Sequence, residues 1–479
     1  MGGRTTQIVA AVAFLWLACL ARDRTADAQG MGINYGTLSN EILRPPEAVG
    51  LIKDLGFDRA KIFSADSSII RAFANSGVKL SVMVANQQIP EIASSQSSAD
   101  AWVKKNVAAY YPKTAIDSVL VGNEILSDSS IRESTWPKLV PAMEKIQSAL
   151  EKFELAGSIK VSTPLASDAL GNSYPPSAGS FKSDIAESII QPLLEFLSRT
   201  NSFYCGNVYP YFAWAGNPGE IPLDYALFGS QQEVVRDGSL SYTNLFDAMV
   251  DATISAIEKL GFGSLDFAVC ETGWPSKGDG SQPGATVSNA ARYNNRLIAK
   301  TLRAQGTPKK RGYFPTYIFA LFNENLKNGA VTERNFGVTY PNGELVYALD
   351  IAGGERDTHD DTGSSGGGNG TESPPGGENG GDGNGSTGRK EWCVANSDAS
   401  QAPLQAALDY ACSSGGDCTA IQPNQPCFFP ETMVSRASYA FSSYYSKMKS
   451  SGGTCDFNQA AHVTQTDPSY GSCVYPSPA

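Results

Sequence analysis

The stretch Leu265-Asp266-Phe267-Ala268-Val269-Cys270-Glu271-Thr272-Gly273-Trp274-Pro275-Ser276 decides how the rest of the chain is read. Its first residues alternate apolar side chains as a buried strand does, and Gly-Trp-Pro-Ser cannot continue one. Glu271 therefore stands at the carboxyl end of a strand. In barrels of parallel strands and helices, that end is the rim where the chemistry is kept. A strand-end Glu can also do no more than hydrogen-bond a loop, so the question is what stands opposite it.

Outward from this stretch the same pattern recurs. Gly30–Gly36, Arg59 to Ser64, Val78–Asn86, Ile116–Glu124, Ile159–Leu165, Ser202–Tyr211 and Pro315–Glu324 all read as strands. Helical spacings lie between them. Ala48, Leu51, Ile52 and Leu55 share one face after Pro45-Pro46-Glu47, and Leu139, Met143, Ile146 and Leu150 share another. Phe246, Met249, Val250, Ile257 and Leu260 point inward from a helix over Asn244 to Leu260, and a further helix runs from Val287 to Ala304. Eight strands alternating with helices over about 320 residues predict an α/β fold, a (β/α)8 TIM barrel. A doubly wound open sheet is the competitor, but no Gly-x-Gly-x-x-Gly follows any strand.

The 479 residues leave room for more than the barrel, and a net charge of −11 argues against nucleic acid and anionic membranes as partners. Residues 1–28 read as a signal peptide: Arg4, an apolar run from Ile8 to Leu20, then Ala26-Asp27-Ala28 as a cleavage site. That predicts a secreted protein. Residues 353–390 turn abruptly to Gly, Ser, Asn, Asp and Pro and read as a flexible linker, with N-glycosylation sequons at Asn369 and Asn384. No apolar tail follows Ser477-Pro478-Ala479, so no membrane anchor is expected.

Two histidines, His359 and His462, both lie outside residues 29–352. The barrel therefore has no Ser-His-Asp or Cys-His arrangement and no His-ligated metal, and neither metal nor cofactor is expected. Its acid–base chemistry must rest on carboxylates, Tyr or Lys. Of nine cysteines, Cys393, Cys412, Cys418, Cys427, Cys455 and Cys473 crowd into residues 391–479, a disulfide framework whose pairing the spacing leaves open. Strand parity turns Cys205 and Cys270 to opposite faces, so both read as buried free thiols.

Three carboxylates now stand at strand ends: Glu124, Glu271 and Glu324. Two carboxyl groups flanking a scissile bond is the arrangement of glycoside hydrolysis, about 5–5.5 Å apart when the anomeric configuration is retained. Strands four and seven end on roughly opposite sides of a barrel mouth, so Glu124 and Glu271 can face each other. Tyr35, Tyr209, Phe212 and Trp274 at the same rim suit sugar faces, while Tyr317 and Phe319 read as ordinary core. Asn123 is placed to hydrogen-bond a sugar 2-hydroxyl.

Here the chain resembles a known family. Gly-Ile-Asn-Tyr-Gly (32–36), Val-Gly-Asn-Glu (121–124), Val-Tyr-Pro-Tyr-Phe (208–212), Glu-Thr-Gly-Trp-Pro-Ser (271–276) and Phe-Asn-Glu-Asn-x-Lys (322–327) resemble the plant endo-1,3-β-glucanases of glycoside hydrolase family 17. The resemblance implies a retaining enzyme on residues 29–352, with Glu124 as acid/base, Glu271 as nucleophile, and Glu324 and Lys327 as an auxiliary pair. Leu326 and Cys270 depart from the residues usual in that family, Gln and often Ser. Trp392-Cys393-Val394-Ala395, residues 424–430 and residues 437–445 resemble the plant six-cysteine carbohydrate-binding module of family 43. That resemblance implies the pairs Cys393–Cys455, Cys412–Cys418 and Cys427–Cys473 and affinity for (1→3)-β-glucan. The whole layout is similar to the long pollen-type glucanases. The expectation is a monomeric, extracellular enzyme of the cell wall acting on (1→3)-β-glucan such as callose. Its rivals are a same-fold enzyme on mixed-linkage glucan and a wall glucan-binding protein that does not cleave.

Overall fold

The computed structural model describes residues 30–351, 390–396, 401–422, 425–427, 433–457, 460–465, 467–469 and 473–478. The predicted signal peptide, nearly all of the predicted linker, and Asn369 and Asn384 lie outside these residues. The chain divides into two compact units, Met1–Arg356 and Asp357–Ala479.

The first unit is built on nine parallel strand segments: β1 (Gly32–Tyr35), β2 (Arg59–Ile62), β3 (Lys79–Val84), β4 (Ile116–Val121), β5 (Lys160–Ser162), β6 (Pro164–Ala166), β7 (Phe203–Asn207), β8 (Asp266–Thr272) and β9 (Thr316–Ile318). They pair in the order β5-β4-β3-β2-β1-β9-β8-β7-β6. The two ends of that order are pieces of one stretch, separated only by Thr163. β5 pairs with β4 and β6 pairs with β7, so the sheet closes on itself. The fifth predicted strand is thus cut in two, and Pro164, which has no N–H for a ladder, begins the second piece. This is the TIM barrel that the alternation predicts.

Helices cover the outside. Leu245–Lys259 starts where the Asn244 side chain accepts from the Asp247 N–H at 2.9 Å, and Val287–Leu302 starts at a Thr286 cap. Along β3, Leu80, Val82 and Val84 are buried in the large core that includes these helices. Met83 turns the other way, into an inner layer with Leu120, Cys205, Ala268 and Cys270.

That inner layer corrects one expectation. Cys205 and Cys270 are not free thiols but a disulfide, with Cα atoms 5.6 Å apart. Strict alternation fails because β8 carries a bulge. Val269 pairs with Gly206 and Glu271 with Asn207, which leaves Cys270 as the extra residue. Ala268 and Cys270 both face inward, and Glu271, one residue on, also reaches the barrel mouth. The eighth predicted strand is also shorter than expected. Pairing in the strand ends at Ile318, and beyond it the Leu321 N–H donates to the Asn34 carbonyl and the Asn323 N–H to that of Thr339.

In the second unit, β10 (Trp392–Ala395) pairs antiparallel with β11 (Ala461–Thr464), beside helices Gln401–Ser413 and Met433–Met448. The bonds Cys393–Cys455, Cys412–Cys418 and Cys427–Cys473 close it. A core this small gains from such cross-links because they restrict the unfolded chain. Tyr439, Phe441, Tyr444 and Tyr445 are buried in that core, while Tyr410 is 54% exposed.

Candidate active site

A cleft of about 950 Å³ opens over the carboxyl ends of the barrel strands. Tyr35, Asn123, Glu124, Tyr209, Phe212, Glu271, Glu324 and Lys327 all line it. The structure therefore brings together eight of the nine barrel residues singled out from the sequence. Trp274 is the exception and a correction: it is fully buried and does not line the cleft. Its indole N–H donates to the Gly284 carbonyl at 2.8 Å, and its ring packs against Tyr211, Trp214 and Tyr293. Phe319, read as core, is buried in it and also lines the cleft with Phe336, and the Tyr209 ring meets both edge-on.

Each carboxylate is held differently. Glu271 is buried at the end of β8. It takes a hydrogen bond from the Tyr209 hydroxyl at 2.9 Å on Oε2, and Lys61 makes an ion pair with its Oε1. Lys61 is wholly buried on β2, with its ammonium 4.1 Å from the centre of the Phe63 ring. Burial pulls the Lys61 ammonium below the usual lysine range, and the Glu271 charge opposes that pull. Burial, followed by the charges of Glu271 and Glu124, pushes the Tyr209 hydroxyl well above its ordinary value. It therefore remains a donor to the carboxylate.

Glu124 lies just past β4, beyond Gly122, in the left-handed region at φ 46° and ψ 38°. A non-glycine residue there costs about 1 kcal/mol or more and needs surrounding structure to hold it. The holding groups are evident. The Glu124 N–H donates to the Pro164 carbonyl at 3.0 Å, and Asn207 Nδ2 donates to Glu124 Oε1 at 2.8 Å. Burial, then the negative charge of Glu271, raises the Glu124 carboxyl to about 7. Two carboxyl groups of one cleft are thereby given unlike surroundings. One meets a cation and a phenol; the other meets an amide and a neighbouring negative charge.

Glu324 and Lys327 form an ion pair at 3.2 Å at the edge of the cleft. Glu324 also accepts the Leu38 N–H at 3.0 Å, and a Cβ on Gly36 would collide with its carboxylate. A larger residue at 36 would have to displace that carboxylate. The Lys327 ammonium sits 4.2 Å from the Phe319 ring centre, which ties this pair to the cleft wall. Phe212 is 47% exposed at the rim. The amide oxygens of Asn123 and Asn207 have no hydrogen-bond partner among the described residues, and both residues line the cleft. A ligand rich in hydroxyl groups would satisfy them.

Sequence reasoning missed Lys61 and Asn207. Asn207 precedes a motif that was recognised, so its place at a strand end was the available signal. Among the described residues, no group of His, Cys, Asp and Glu could hold a metal ion, and no helix is long and apolar enough to cross a membrane.

Known proteins are similar to this chain. The family model of glycosyl hydrolases family 17 matches residues 31–351, and that of the X8 domain matches residues 391–462. Glucan endo-1,3-beta-glucosidase 13 of Arabidopsis thaliana is 40% identical over 449 residues, 93% of this chain and 85% of that protein. Glucan endo-1,3-beta-glucosidase 3 of the same plant is 39% identical over 98% of this chain and 89% of its own length. Among solved structures, CJP38, a beta-1,3-glucanase and allergen of Cryptomeria japonica pollen, is 44% identical with a TM-score of 0.64. It matches 67% of this chain and 98% of its own. One of two plant beta-glucan endohydrolases described as having distinct substrate specificities is 38% identical, with a TM-score of 0.62 over 67% of this chain and 99% of its own. Matches that span the whole barrel, and continue into the cysteine-rich unit behind it, leave one conclusion: this chain belongs to the glycosyl hydrolases of family 17 and carries an X8 domain.

Proposed function

We propose that the protein is a retaining endo-hydrolase of (1→3)-β-D-glucan, with Glu271 as nucleophile and Glu124 as acid and then base. The observation that carries this reading is the divergence of the two carboxyl groups. Glu124, raised to about 7, holds a proton under mildly acidic and near-neutral conditions, whereas Glu271 is met by the donors Lys61 and Tyr209. In the first step Glu271 attacks the anomeric carbon while Glu124 gives its proton to the leaving oxygen. In the second, Glu124 takes a proton from water, which attacks the same carbon and releases Glu271. Asn123 and Asn207 offer acceptors to sugar hydroxyls, Phe212 offers an apolar face, and Glu324 with Lys327 fixes the field at the edge.

Around this centre we assign residues 29–352 as the catalytic domain, 353–390 as a tether, and 391–479 as a module that holds the same polymer. Residues 1–28 form the signal for secretion to the extracellular wall, and Asn369 and Asn384 are glycan acceptors. The names of the relatives support the 1,3 linkage. Mixed-linkage β-glucan is the second reading, because one structural relative comes from a pair described as differing in substrate specificity. Reducing-sugar release from laminarin and from lichenan decides between them. Preference for laminarin is expected, and preference for lichenan would overturn the 1,3 assignment. Binding of laminarin without any cleavage would favour a wall-binding protein instead. Glu271→Gln should lower turnover by about 10³-fold or more with glucan binding kept, and NMR should show the β-anomer as first product.

A further inference from the structure

The Cys205–Cys270 disulfide lies in the barrel interior, one residue before Glu271 and two before Asn207. Cys270 is the extra residue of the β8 bulge, the place where the ladder itself gives least control. Three attachments hold that point. The buried Asn34 amide donates to the Cys270 carbonyl at 3.0 Å, the Val208 N–H donates to the Glu271 carbonyl at 2.8 Å, and the Cys270 side chain is bonded to β7. β7 and the residues just after it supply the partners of both carboxylates, since Asn207 holds Glu124 and Tyr209 holds Glu271. The bond packs in one layer with Met83, Leu120 and Ala268.

We propose that the Cys205–Cys270 bond is a positioning device, which fixes the bulge so that Glu271 stands at a set place against Asn207, Tyr209 and Glu124. The proposal rests on the reading of Glu271 and Glu124 as the reacting pair. A misplacement of about 1 Å at a reacting group costs about 10²-fold in rate, so the bond belongs to catalysis as well as to stability.

The test uses the full chain carrying Cys205→Ala together with Cys270→Ala, assayed on soluble laminarin well below its melting temperature. The expected result is a fall of about 10- to 100-fold in kcat with KM within about 3-fold of wild type. The basic limb of the pH profile should also move to lower pH, because part of what raises Glu124 is the charge of a nearby Glu271. A lower melting temperature with unchanged kcat and an unmoved limb would show a stabilising bond only and overturn the proposal. Should the double variant not fold, peptide mapping of denatured, alkylated, unreduced wild type still decides. A linked 205–270 peptide is expected, and two alkylated thiols would refute it. If Glu271→Gln is inactive while the alanine pair keeps the kcat of wild type, this proposal fails and the reading of Glu271 stands.

Discussion

Lys61 shows what a single residue can hide. A lysine in the short run Arg-Ala-Lys-Ile reads as the solvated face of a strand, because charged side chains are seldom fully buried unless paired. Its partner, Glu271, is 210 residues away, and no local pattern connects the two. Glu124 was legible, by contrast, because it ends an apolar run and sits in a recognisable motif, although its left-handed backbone was not. Its environment yields a prediction with a definite sign. A carboxyl raised in the folded state from 4.5 to about 7 binds its proton more tightly than in the unfolded chain. The folded state then loses stability between about pH 4.5 and 7, as the unfolded chain gives up its proton first. That loss amounts to about 3 kcal/mol and levels off above pH 7. Glu124→Gln removes the titration. Its melting temperature relative to wild type should climb across that pH range and hold steady on either side. A difference that does not change between pH 4 and pH 8 would mean that Glu124 is not raised.

At the scale of the element, β8 decided both the successes and the one wrong pairing. Its apolar alternation placed Glu271 at a strand end, which is where the structure has it. The same alternation, carried one residue too far, turned Cys270 away from Cys205. A bulge depends on which residues of two distant strands face each other, and the composition of one strand does not reveal that. Trp274 misled for a related reason, since a residue beyond a turn can fold back toward the helices. The bulge is held from a third strand by Asn34, wholly buried on β1, whose amide donates to the carbonyls of Cys270 at 3.0 Å and Ile318 at 3.1 Å. Asn34→Ala leaves two buried carbonyls without those donors, each worth about 1–3 kcal/mol. Chemical denaturation should therefore show a loss of about 2–6 kcal/mol with an unchanged m-value. A loss below about 0.5 kcal/mol would mean that water or a shifted backbone replaces the amide.

At the scale of the whole molecule, the chain joins a barrel to a cysteine-rich unit, and the two were legible for different reasons. The barrel announces itself by repetition, eight strand ends in order. The smaller unit announces itself by composition, since six cysteines in so short a segment serve a fold too small to rest on its apolar core alone. Spacing could not choose the pairing; that came through family resemblance. If the smaller unit binds the polymer that the barrel cleaves, its contribution is local concentration, not chemistry. A tethered second site makes the next encounter intramolecular and raises apparent affinity without touching the first site. That gain exists only where one polymer is long enough for both units. Removing residues 391–479 should therefore lower the fraction bound to insoluble (1→3)-β-glucan by about 10-fold or more, while kcat/KM on a short soluble oligosaccharide stays within about 2-fold. A pull-down alongside a soluble assay separates the two effects. Equal binding by the shortened chain would assign all polymer contact to the barrel cleft, and a matching loss on the short substrate would mean that the barrel needs its companion to fold.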